Sequence, residues 1–219
     1  MLVDSADEQL ILEQLLEASK PPLPENTGNY HYLITTPFRY PPLKYGSRFG
    51  SRNLGGIFYA SSRIHTALAE CAYYRFLFWY GMAEPPPKRR LDTAHSSFVV
   101  QIKTAHGIHL EQPPFDQFRD RLSHPADYRA TQQLGEKMRN SGIEAFSYPS
   151  ARDPRTGINI AVLQLTAITS RKPLRKEQWL CTTRDEKVSF VKMHCRNEGY
   201  SFSVDQFYHH QQLPQPACR

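Results

Sequence analysis

Cysteine is scarce in this chain: its four thiols, Cys71, Cys181, Cys195 and Cys218, include no Cys-x-x-Cys pair. They are too few to build a disulfide framework in 219 residues, so a reducing compartment is the expected setting. Long apolar runs are lacking as well. No stretch approaches the roughly 18 apolar residues that a membrane span requires, and no basic start followed by an apolar h-region opens the chain. The expectation is a soluble, cytoplasmic protein with no membrane partner. Walker, Rossmann and nucleophile-elbow patterns are missing, and the "LGG" of residues 54–56 signals only a turn. Nine histidines include His106 and His109, and the neighbours His209 and His210, but no second pair stands at ligand spacing. Adjacent residues on a strand point to opposite faces, so no metal site is expected.

What is present bounds the molecule. With 40% hydrophobic residues in 219, the chain can bury one sizeable core. Lys and Arg total 27 against 21 Asp and Glu, a net charge of +6 that biases the surface toward anions: nucleic acid, phosphorylated metabolites or an acidic protein. A solvated mixed-charge surface explains the same excess.

"SADEQLILEQLLEASK" carries Ser5 and Glu8 at capping-box spacing and sets Ile11, Leu12, Leu15 and Leu16 on one helical face. "PPLPEN" cannot continue that helix, so residues 1–27 read as an amphipathic helix plus linker, and 28–219 as the main body. The leucine face could dock on the body, contact a partner or join two copies in a homodimer. Within the body, "YHYLITTPFRY", "GIFYAS", "SSFVVQIKT", "IEAFSYPS", "GINIAVLQL", "EQWLCTT" and "KVSFVKM" read as strands. "HPADYRATQQLGEKMRNSG" reads as a helix with Pro125 near its start and Gly142 past its end. "PPPKRR" at 85–90 is a loop. The sum is an α+β fold, strand-rich in its second half.

A further helix is expected from about Arg63 to Tyr80, capped by Ser61 or Ser62, with Ile64, Leu68, Cys71, Ala72 and Arg75 on its core face. At about 100° per residue Glu70 lies well round from Leu68, facing solvent or a cleft. Taken singly, Arg39, Arg48, Tyr59, Glu70 and Ser150 have ordinary explanations as surface arginines, a half-buried strand tyrosine, a solvated glutamate and a turn serine.

Their order carries more. Gly46-Ser47-Arg48-Phe49, then Asn53 and Gly55 or Gly56, then Tyr59-Ala60-Ser61, then Thr66-Ala67-Leu68-Ala69-Glu70, and later Pro149-Ser150 and Asn159-Ile160-Ala161-Val162, resemble the RES domain family over roughly residues 30–170. Arg39 matches an additional arginine of that pattern, and Arg52 is the alternate to Arg48. The resemblance implies an ADP-ribosyltransferase-like core of two packed strand-rich sheets with flanking helices. It implies a toxin of a toxin–antitoxin pair that takes NAD as substrate, with no further cofactor, and an antitoxin partner with an Xre-type helix-turn-helix that alone would meet nucleic acid. Cleaving the nicotinamide–ribose bond passes through an oxocarbenium-like transition state, which Glu70 would stabilise. Arg48 and Arg39 would hold the pyrophosphate. Tyr59 would stack on the nicotinamide or its ribose and bond the sugar, Ser150 and Asn159 would bind substrate, and the glycines would let backbone approach the anion. The acceptor stays open: water gives a glycohydrolase, phosphate a phosphorylase, a protein side chain an ADP-ribosyltransferase. A basic chain of this size could instead cut or bind RNA, or only bind a partner.

Overall fold

The computed structural model describes residues 5–19, 27–40, 45–52, 54–195 and 198–215. Along them run α1 (Ala6–Ser19), α2 (Tyr32–Arg39), β1 (Phe58–Ser61), α3 (Ile64–Tyr80), β2 (Leu91–Val99), β3 (Gly107–His109), α4 (Arg119–Leu122), α5 (Arg129–Asn140), β4 (Ala145–Pro149), β5 (Ile158–Val162), β6 (Arg175–Thr183), β7 (Lys187–Lys192) and β8 (Gly199–Ser203). The fold is α+β. One four-stranded sheet has the order β1-β5-β4-β3, the other β2-β6-β7-β8. Among the described residues only the β3–β4 pair is parallel.

Helices α2 to α5 and both sheets contribute buried faces to the core. Leu68, Ala69, Ala72, Tyr73 and Phe76 of α3 pack on Trp179, Cys181, Val188, Phe190 and Phe202 of the second sheet. Each leucine, valine or phenylalanine among them contributes roughly 1.5–3 kcal/mol by leaving water. The first sheet is covered on both sides. Phe146, Tyr148 and Ala161 meet Leu122 of α4 and Met138 of α5. On the opposite face Phe58 and Val162 meet α2 and the second sheet, where the Phe58 and Phe98 rings lie 6.2 Å apart.

The register of the first sheet sets up a functional face. Asn159 pairs with Ser61 on one side and Tyr148 on the other, and Ala161 pairs with Tyr59. Because side chains alternate along a strand, Tyr59, Ser61, Tyr148 and Asn159 share one face. The start of α3 closes over the edge of that face, and the loop 150–157 comes close enough that a β-carbon at Gly157 would collide with Thr66 Oγ1 and Asp153 Oδ2.

Several expectations need correction. "YHYLITTPFRY" is not a strand: Tyr32–Arg39 is α2. His31 caps it by accepting from Leu33 N, and the Thr36 hydroxyl donates to the Tyr32 carbonyl at 2.7 Å. Its β-branched and aromatic residues suit either conformation, and the four-residue spacing that brings Ile34 and Phe38 into one core decides for helix. The core face of α3 comprises Thr66, Leu68, Ala69, Ala72, Tyr73, Phe76 and Trp79, turned from the expected set, so Thr66 and Tyr73 are buried. β2 begins at Leu91 rather than Ser96. α5 begins at Arg129, four residues after Pro125, and Gly142 takes a left-handed φ of 75° just past its end. In α1, Leu10, Ile11 and Leu15 are exposed, and Glu17 pairs with Arg39 of α2 at 2.6 Å. Residues 85–90 are a loop whose Arg89 pairs with Asp185. Cys71, Cys181 and Cys195 are free thiols, and Cys218 lies outside the described residues. Among the described residues no helix is long and apolar enough to cross a membrane, and no group of three His, Cys, Asp or Glu is placed to hold a metal ion.

Candidate functional site

A cleft of about 280 Å³ opens where the first sheet, α3 and the turn at Ser47–Arg48 meet. The sheet contributes Tyr59, Ser61, Tyr148 and Asn159, and α3 contributes Ala67, Glu70 and Tyr74. Those three helical positions are spaced three and four apart, which places them on one stripe of the helix. Tyr128, just before α5, completes the wall.

The cleft's acid is Glu70, and its orientation is fixed from two sides. The Ser150 hydroxyl donates to Oε1 at 2.7 Å and Asn159 Nδ2 donates to the same oxygen at 2.6 Å. Both donors are themselves oriented. Ser150 Oγ accepts from the backbone N–H groups of Arg152 and Asp153, so its own proton is left for the carboxylate. Asn159 Oδ1 accepts from Ser61 Oγ at 2.6 Å, which fixes which end of the amide faces Glu70. Among the described residues Oε2 has no hydrogen-bond partner. Behind this network, Asp153 ties the loop to α3 through Thr66 Oγ1 at 2.7 Å and His65 Nδ1 at 3.2 Å. Burial alone would raise the Asp153 carboxyl's pKa, but these bonds and the Arg155 backbone N–H outweigh it and hold the pKa below the ordinary value.

The cations are buried. Arg48 is only 9% exposed, and its Nη1 donates to the main-chain carbonyls of His124 at 2.9 Å and Leu122 at 3.3 Å. Its guanidinium lies 4.4 Å from the centre of the Tyr128 ring. Arg152, 3% exposed, stacks 3.5 Å over Tyr73 and donates to the Pro125 carbonyl. Both arginines reach the Tyr128 hydroxyl, at 3.5 and 3.4 Å. Among the described residues neither has a carboxylate in ion-pair range. Removing an unpaired guanidinium from water costs several kcal/mol, so two of them beside one cleft favour an anion there.

Three of the cleft's phenols are held neutral. Burial pushes the phenol of Tyr148 well above its ordinary pKa, and the negative charge of Glu70 adds to this; Tyr74, half-exposed, is raised in the same direction by partial desolvation and by the nearby Tyr128 and Glu70. Tyr59 is raised too, chiefly by burial of its hydroxyl. That hydroxyl is committed inside the protein, bonded to Ser47 Oγ at 2.8 Å and accepting from Phe49 N at 3.1 Å. Tyr59 as a whole is 37% exposed, and with its hydroxyl committed the ring is what it offers a ligand.

Of the residues singled out in the sequence, Glu70, Arg48, Tyr59, Ser150 and Asn159 converge on this cleft. Arg39 and Arg52 do not line it. Arg39, at the end of α2, bonds Glu17 of α1 at 2.6 Å, and Arg52 is exposed on its turn. Asn53 lies outside the described residues. The glycines also differ from expectation: Gly56 brings β1 against the carbonyls of Pro37 and Tyr40, and Gly46 supplies a φ of 78° for the turn before Arg48. Sequence reasoning missed Tyr74, Tyr128, Tyr148 and Arg152. Arg152 had a signal, a cation two residues after the motif serine, whereas the three tyrosines stand in ordinary helix and strand contexts.

No curated protein matches the sequence significantly. The family model described as RES domain matches residues 24–183, well over half of the chain and a span that holds Arg48, Glu70, Ser150 and Asn159. With the motif order and the cleft it builds in agreement, the chain belongs to the RES domain family.

Proposed function

We propose that this protein consumes NAD by breaking the bond between nicotinamide and its ribose, as the toxin of a toxin–antitoxin pair. The family is broadly associated with NAD processing. The observation that carries the reading is a carboxylate, Glu70, held by Ser150 and Asn159 in the same cleft as the buried guanidinium of Arg48, which has no carboxylate partner among the described residues.

Each group then has a task. The doubly anionic pyrophosphate supplies the counter-charge that Arg48 lacks, with the Arg152 charge close behind. Tyr59 presents its ring to the nicotinamide or its ribose and keeps the scissile bond in place. As C1′–N1 breaks, the bonding electron pair goes to the ring nitrogen, which turns the pyridinium into neutral nicotinamide, so no general acid is required. The ribose becomes oxocarbenium-like, and Glu70 stabilises that positive charge. Water or phosphate attacks C1′ and gives up a proton, completing ADP-ribose or its phosphate ester. Transfer to a protein side chain is the second reading of the same cleft.

An enzyme that drains NAD needs restraint in the cell that makes it, and an antitoxin covering the cleft is the proposed partner. Incubation of the purified chain with NAD, followed by mass spectrometry, tests the reading. Free nicotinamide with ADP-ribose or its phosphate supports it, a labelled protein supports the second reading, and intact NAD overturns both. Total RNA in a parallel reaction should stay intact.

A further inference from the structure

Beyond residue 183, outside the family match, the chain returns to the back of the cleft. Here Val204 and Phe207 enter the core beside Tyr73, with Leu213 packed against it. His209 and Gln212 then exchange backbone hydrogen bonds at 2.9 and 3.2 Å, closing a two-residue turn. Both central residues, His210 and Gln211, hold left-handed φ values of 52° and 62°. Such turns ordinarily use Asn-Gly, because side chains other than Asn, Asp and Gly are strained there. Strain maintained at a defined position directs attention to what the turn holds in place.

It holds two contacts, each one step from an arginine. The Tyr73 hydroxyl donates to the Pro214 carbonyl, and the face of the Tyr73 ring carries the Arg152 guanidinium. The His209 ring meets the His124 ring edge-on at 5.4 Å, and the His124 carbonyl is the shorter main-chain acceptor of Arg48. His124 is pinned on its other side, its Nδ1 accepting from Ala126 N and Asp127 N.

We propose that residues 204–215 act as a strap that positions both buried guanidinium groups, Arg152 through Tyr73 and Arg48 through His124, so that they meet an anion together. The proposal rests on the reading that the cleft binds the pyrophosphate of a dinucleotide. Tyr73 and His209 are positioning residues: neither lines the cleft. Their contribution is pre-organisation, since a cation already fixed loses less freedom when the anion arrives.

The test uses the full chain and ADP, which carries the pyrophosphate but not the scissile bond, with affinity measured by calorimetry. Tyr73→Phe removes one hydroxyl and keeps the ring under Arg152. His209→Leu removes the imidazole and keeps its bulk. Ile168→Ala loosens a separate core cluster that contains none of Tyr73, His124, His209, Arg48 and Arg152. Tyr73→Phe and His209→Leu should each weaken ADP binding at least threefold, while Ile168→Ala lowers the melting temperature and leaves ADP affinity within twofold of the native chain. Unchanged affinity in Tyr73→Phe and His209→Leu, or affinity that simply follows melting temperature across all three variants, overturns the strap and leaves the reading of the cleft standing. A native chain that does not bind ADP overturns both.

Discussion

Glu70→Gln isolates the charge from the shape of the cleft's acid. The amide oxygen can occupy the position of Oε1 and still accept from Ser150 and Asn159, so the network that holds residue 70 survives. What disappears is the negative charge. A carboxylate about 4 Å from a full positive charge contributes on the order of 4 kcal/mol at an effective dielectric near 20. The charge at C1′ is only partly developed in the transition state and Glu70 is half-buried, so about 3 kcal/mol is the better figure, close to what removing one preorganised electrostatic partner costs elsewhere. The predicted fall in kcat is therefore about 100-fold to 1000-fold. Stability should change little: two charge-assisted bonds become neutral ones, a loss near 1 kcal/mol or about 2–4 °C in Tm for a chain of this size. Nicotinamide release followed by chromatography gives the first quantity and thermal unfolding the second. A Glu70→Gln chain that retains more than about a third of the native kcat would refute the electrostatic role.

Other residues are expected to respond differently. Arg48→Lys keeps a positive charge but loses the planar fork, so ADP affinity should fall about tenfold while kcat changes by less than about threefold, as steady-state kinetics beside calorimetry would record. Asp153→Asn should lower stability at pH 7 by about 1–3 kcal/mol, since the carboxylate's bonds to Thr66, His65 and Arg155 N become weaker or unmade. Because the folded pKa lies below the unfolded one, the native advantage is fully present above about pH 4 and is lost as pH falls through the folded value; urea unfolding at pH 7 and at pH 3 should show the gap between the two chains closing. Gly56→Ala should be strongly destabilising, at least about 2 kcal/mol, because a β-carbon there would overlap the Pro37 and Tyr40 carbonyls, which belong to backbone and cannot swing aside. Gly55→Ala, where the nearest atom to a β-carbon is the Arg139 guanidinium at 3.9 Å, is the tolerated comparison in the same unfolding assay.

How far the sequence reveals this molecule depends on whether a signal is local. α3 follows from its apolar stretch, and the position of Glu70 away from Leu68 from helical geometry, but the expected cap does not form: Arg63 stands at the N-cap with no side-chain cap bond, while Ser61 and Ser62 bond Asn159 and the Ile158 carbonyl. β3 and β8 leave no comparable trace, being three and five residues long and each opening on glycine. α2 was misread because Ile34, Thr35 and Thr36 favour strands by propensity, and only the tertiary partner at Phe58 reveals the four-residue spacing that matters. In the site, Glu70, Ser150 and Asn159 lie in ordered short motifs and could be named together. Arg48 is preferred over Arg52 in the sequence because Phe49 follows it, and the structure places Arg48 buried under the loop before α5 while Arg52 is exposed. Tyr74, Tyr128 and Tyr148 converge from a helix, a loop and a strand, and nothing local marks them as neighbours.

The most direct measurement of the central claim is a crystal structure of the Glu70→Gln chain soaked with NAD, which should remain intact long enough to be seen. The pyrophosphate oxygens should lie within hydrogen-bond distance of Arg48, with C1′ of the nicotinamide ribose facing residue 70 and the Tyr59 ring against the nicotinamide or its ribose. A dinucleotide bound elsewhere, or one whose nicotinamide ribose points away from residue 70, would contradict the account.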